Sequence, residues 1–231
     1  MRKICLIILI MFTVYSCKKE NQKVDIKIKK ENYNPTEYFS FPTNIKKWKN
    51  YKEITVNDSL KKVRGEFENY QIEGYINQYN QKINWWNIVN KKNIQADNVR
   101  LEYRIIDNKE HVNQYINYDT KNGDDTKNSL FYLKEKINNS KNTYKYSFYT
   151  PNEYPKKNLM RKFGYILFID NKEIETLDLE CLEEKDHFSV NINVPKSDQK
   201  IIVKGLFTEL YEDKTKRPGQ NEIYVIDTLK Q

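Results

Sequence analysis

A single alanine, Ala96, stands in a chain of 231 residues that carries 28 asparagines. Alanine is the best helix former and asparagine favours turns, so this imbalance argues against a helical bundle and predicts strands. The strand pattern itself follows. Val99, Leu101, Tyr103 and Ile105 alternate with polar residues, as do Tyr144, Tyr146 and Phe148, and again Phe188, Val190, Ile192 and Val194. A period of two puts each set on one face of a half-buried antiparallel strand. Hydrophobic residues make up 38% of the chain and lean on 18 Tyr, 10 Phe and 3 Trp, so rings are expected to fill much of the core.

Turn chemistry separates these runs. Asp107-Asn108, Asn122-Gly123, Asp170-Asn171 and Pro218-Gly219 lie between apolar segments and offer residues that tolerate positive φ. Hairpins are predicted for Phe163 to Ile169 with Glu173 to Leu179, and for Ile201 to Tyr211 with Glu222 to Thr228. Helix is confined to one short segment, capped by Thr43, in which Ile45, Trp48 and Tyr51 recur at spacings of three. The expected fold is mainly β. An antiparallel meander over residues 36–153 is followed by a small β-sandwich-like module of about five strands over 154–231.

The N-terminus reads as an export signal. Arg2 and Lys3 precede an apolar run from Ile4 to Tyr15 that is too short to span a bilayer, and a charged stretch begins at Lys18. Val14-Tyr15-Ser16-Cys17 resembles the lipobox of bacterial lipoproteins, although Tyr15 replaces the usual small residue. The resemblance implies cleavage before Cys17, lipid on its sulfur and anchoring in the outer membrane, since the next residue is Lys18 and not the Asp associated with inner-membrane retention. Ordinary signal cleavage after Ser16 is the alternative, because Val14 and Ser16 also satisfy a small-x-small site. Residues 18–35 form the tether. With Cys5 removed and Cys17 modified, Cys181 is left alone, so no internal disulfide is expected.

Gly74-Tyr75-Ile76-Asn77-Gln78-Tyr79-Asn80-Gln81-Lys82-Ile83-Asn84-Trp85-Trp86-Asn87-Ile88 resembles one unit of the MORN-like repeats of bacterial envelope and antitoxin-type proteins. A second partial unit runs from Asn113 to Tyr132. The resemblance implies hairpins whose return strand begins at Trp, and it carries no catalytic residue. Trp85 and Trp86 face opposite sides of any strand that contains them, so one can enter the core while the other joins Tyr75 and Tyr79 in a platform for a sugar ring or a partner protein. Asp58-Ser59-Leu60 and Asp227-Thr228-Leu229 also resemble the O-glycosylation motif of exported Bacteroidota proteins.

Motifs for chemistry are absent from the sequence. There is no His-Glu-x-x-His, no Gly-x-Ser-x-Gly, no phosphate-cradling glycine loop and no cysteine pair at zinc spacing. Glu183, Glu184, Asp186 and His187 form the best ligand cluster but read as a polar turn, and Asp119 to Asp125 lacks the glycine position and closing glutamate of a calcium loop. Formal net charge is +8, of which Arg2 and Lys3 supply two; the rest is mostly lysine dispersed among acids, a solvated surface and not a nucleic-acid footprint. The chain therefore reads as a lipid-anchored envelope binding protein with no catalytic activity, cofactor or metal. An immunity-type lipoprotein that neutralises a secreted toxin is the alternative, and an envelope glycan hydrolase is a third.

Overall fold

The computed structural model describes residues 39, 42–93, 98–138, 142–152 and 156–229. Seven strands follow one another as an antiparallel meander: β1 (Lys49–Asn57), β2 (Leu60–Phe67), β3 (Tyr70–Asn77), β4 (Lys82–Asn90), β5 (Asn98–Ile106), β6 (Lys109–Asp119) and the two-residue β7 (Gly123–Asp124). Eight more make two four-stranded sheets. The first is ordered β11 (Lys172–Glu180), β10 (Lys157–Ile169), β14 (Ile201–Glu212), β15 (Pro218–Leu229). The second is ordered β12 (Leu182–Glu183), β13 (Phe188–Asn193), β9 (Thr143–Tyr149), β8 (Phe131–Asn138). The fold is mainly β, and among the described residues helix is limited to two three-residue 3-10 turns, Ile45–Lys47 and Thr126–Asn128.

Local chemistry explains the hairpins. Asp107 and Asn108 take φ of 50° and 60° between β5 and β6, and Asp170 and Asn171 take 49° and 64° between β10 and β11, the two positive values that a two-residue hairpin needs. Two local expectations need correction. The last hairpin turns before Pro218-Gly219: Asp213 accepts the N–H groups of Thr215 and Arg217, and Pro218 already pairs with Glu212 in β15. The predicted helix is one 3-10 turn capped by Asn44. Thr43 is fully buried instead, its hydroxyl donating to the Phe39 carbonyl at 2.7 Å and accepting from Tyr103 Oη at 2.9 Å. Trp48 has extended backbone and Tyr51 lies in β1.

Aromatic rings carry the core, a single cluster that runs through meander and sandwich. In the meander, Trp86 lies between Trp48 and Tyr103 with ring centroids 5.8 and 5.6 Å away. A Cβ on Gly74 would come 2.1 Å from the Trp86 ring, so the glycine in β3 is what lets the indole lie flat on the sheet. In the sandwich, Phe148 of β9 stacks on Phe207 of β14 at 4.2 Å and meets Phe163 of β10 at 5.1 Å, which binds the two sheets face to face. One of those sheets takes β8 and β9 from before residue 153 and β12 and β13 from after it, so the sandwich draws on both sides of the boundary drawn in sequence.

The meander joins the sandwich through a bulge. Between Glu102 and Tyr103 the register of β6 slips by one residue, leaving Asn113 extra. Its side-chain amide donates to the Tyr224 carbonyl at 2.9 Å and accepts the Tyr224 N–H at 2.7 Å, as a neighbouring strand would. Gln114 Oε1 accepts the Tyr132 N–H at 3.0 Å, and Tyr115 bridges to Leu130. Both amides are about 3% exposed, so these bonds form away from water, where leaving one unmade is costly.

Candidate functional site

β4 carries the paired indoles and divides them. Trp86 is fully buried and its Nε1–H is shared between the carbonyls of Tyr75 and Ile83, each at 3.1 Å. Trp85 points the other way and remains 39% exposed. Trp86 therefore belongs to the core and not to a surface platform. The physical cause is the pleat, which sends consecutive side chains to opposite faces. Of its expected companions, Tyr79 stands 73% exposed in the β3–β4 turn and Tyr75 is half-buried on β3. β4 begins at Lys82, three residues before the tryptophan expected to start the return strand, and the hairpin tip closes where the N–H of Asn80 donates to the Asn77 carbonyl.

The outer face around Trp85 is held on rigid backbone. Ile54, Lys62, Tyr75 and Ile83 follow one another across β1 to β4, and Trp85 pairs with Glu102 of β5. Glu102 is fixed in turn. Its Oε1 accepts from Arg104 Nε and Nη2 at 3.1 and 2.9 Å, and its Oε2 accepts from Asn113 Nδ2 at 2.6 Å. Ile54 is 64% exposed and Val56 52%, so the face is more apolar than the sequence indicated. All nine residues of β1 are exposed, so burial does not mark one face of this strand as it does on its neighbours.

The carboxylate cluster lies in a recess of about 630 Å³ at one end of the sandwich, lined by Lys127, Thr150, Lys156 and Asn158 as well as by residues 183–188. Its acids already have partners. Glu183 accepts from Arg161 at 2.7 Å, Glu184 from Lys145 at 2.8 Å, and Asp186 meets His187 Nδ1 at 2.8 Å. The bonds from Lys145 and then Ser189 hold Glu184 below the usual carboxylate range, the wrong direction for a general acid. Among the described residues no group of three acids, histidines or cysteines is placed to hold a metal ion. In the Asp119 to Asp125 loop, Asp119 accepts from Lys121 and Asn122, and Asp125 from Lys127 and Asn128, which are turn-closing bonds.

Cys181 is a buried free thiol that burial pushes up to about 12. Such a group is inert as a nucleophile. Ser59 is exposed at the β1–β2 tip and Thr228 is exposed on β15. Cys17, the signal at residues 1–17 and the tether at 18–35 lie outside the described residues. No protein-family model matches the chain, and no curated protein matches it.

Proposed function

We infer that this is a lipid-anchored binding module of the bacterial outer envelope, without catalytic activity, that offers the outer face of its meander to a partner protein or glycan. One observation carries the binding half. Trp85 on β4 and Tyr79 in the adjoining β3–β4 turn keep 39% and 73% of their surfaces in solvent, while the tryptophan next to Trp85 is wholly covered. Exposed aromatics held by rigid strands give large contact area at small entropic cost, the usual composition of a binding centre. The MORN-like resemblance of residues 74–88 supports this reading, because the segment spans a strand, turn and strand that carry Tyr75, Tyr79 and Trp85 in succession.

The anchoring half rests on Val14-Tyr15-Ser16-Cys17. Several acyl chains at about 0.8 kcal/mol per buried CH2 make such an anchor effectively permanent. Metabolic labelling with a fatty-acid probe marks the wild-type protein in the outer-membrane fraction, whereas Cys17→Ser loses both the label and the membrane association. A serine variant that still fractionates with the membrane would contradict the anchor.

A further inference from the structure

Edge strands template pairing with other chains, and this protein protects some of its edges while leaving others open. Asn113 bonds the Tyr224 backbone of β15, Gln114 takes the Tyr132 N–H of β8, and β7 and β12 are two residues each. β1 and β11 end their sheets at nine residues each. Every residue of β1 is exposed, and β11 is exposed at all but Glu175 and Leu179. Each bonds one neighbour, β2 or β10, and among the described residues no other strand lies beyond them.

β1 and β11 differ in charge. β1 carries Lys49 and Lys52 and follows Lys46 and Lys47, while its Glu53 is taken by Lys61 at 2.6 Å. β11 carries Glu173, Glu175, Asp178 and Glu180 against one lysine, Lys172. Among the described residues these carboxylates meet hydroxyls and no cation: Thr176 donates to Glu173 at 2.8 Å and Tyr165 to Glu175 at 3.4 Å. Each strand also shows bare aliphatic surface, Ile54 and Val56 on one and Ile174 and Leu177 on the other.

We propose that β1 of one copy pairs with β11 of a second copy, joining molecules head to tail. Pairing β1 with itself would crowd lysines together and pairing β11 with itself would crowd carboxylates, whereas the mixed pair sets opposite charges across the ladder. An antiparallel register with Lys52 opposite Asp178 runs Lys52–Thr55 of β1 along Glu175–Asp178 of β11, stretches of the two strands that carry no register shift. The two surfaces are different, so each added copy leaves one of each open and the series does not close at two.

The test is sedimentation of the full chain in density-matched detergent. The wild type grows past a dimer as concentration rises at low salt and returns to monomer at high salt. Lys49→Glu with Lys52→Glu makes both edges acidic, and Asp178→Lys with Glu180→Lys makes both basic. Each variant alone loses about tenfold or more in self-association, and an equimolar mixture of the two restores it. Unchanged circular dichroism separates this result from unfolding. A wild type that stays monomeric, one that stops at a closed dimer, or a mixture that fails to associate would overturn the proposal.

Discussion

Trp86→Ala lowers the unfolding free energy by about 3–5 kcal/mol, while Trp85→Ala on the next residue lowers it by about 1 kcal/mol or less. The difference follows from what each ring leaves behind. Trp86 lies on Gly74, which has no side chain to fill the vacated space, and its removal also strips ring contacts from Trp48 and Tyr103. Its N–H serves two carbonyls in a site at 0% exposure. Trp85 leaves a partly solvated face into which water can move. For a domain with about 5–15 kcal/mol in all, the first change is a large fraction of stability. Urea denaturation of both variants measures the contrast, and equal losses would contradict the placement of the two rings.

Lys156→Met has an effect of similar size, about 3–5 kcal/mol, because it leaves a buried charge alone. Glu209 is 0% exposed, and Lys156 Nζ lies 2.7 Å from its Oε1. The same ammonium donates to Thr150 Oγ1 and the Pro151 carbonyl, each at 3.0 Å, and sits 4.8 Å from the Tyr211 ring centre. Asn221 donates to Glu209 at 2.8 Å, which does not neutralise it. Adding Glu209→Gln to Lys156→Met removes the stranded charge and keeps an acceptor for Asn221. The double variant therefore recovers much of the loss, a coupling that a urea-denaturation mutant cycle reads directly. A double variant as unstable as the sum of its single changes would show that the pair is not coupled.

The local parts of this fold were legible because their causes are local. Apolar runs on either side of turn residues marked two hairpins that the structure contains, Phe163 to Leu179 and Ile201 to Thr228, and Asp170-Asn171 marked the turn of the first. Long-range assembly was not. Nothing in the run from Phe188 to Val194 says that it pairs with β9, about 45 residues earlier, in a different sheet from the hairpins on either side of it in sequence. Asn113 and Gln114 looked like part of a repeat, yet they replace backbone partners for strands 18 and 111 residues away. The spacing of Ile45, Trp48 and Tyr51 at every third residue points to a helix, but the structure divides the three between a 3-10 turn at Ile45, extended backbone at Trp48 and β1 at Tyr51.

Of the candidate site, the opposed orientation of Trp85 and Trp86 was legible from the pleat alone. Which of them is buried depends on Gly74 and Trp48, distant positions that no pattern within β4 reveals. The apolar pair Ile54 and Val56 extends the face beyond the aromatics named from sequence.

Site-specific photo-crosslinking in intact cells tests the binding face most directly, with the crosslinking residue placed at Tyr79 and, as a control, at Leu159 on the sandwich, which is 54% exposed. The account predicts a discrete crosslinked product from position 79 that is lost when Trp85→Ala is added, and no such product from position 159. Crosslinks of equal yield from both positions, or a product from position 79 that is indifferent to Trp85, would contradict it.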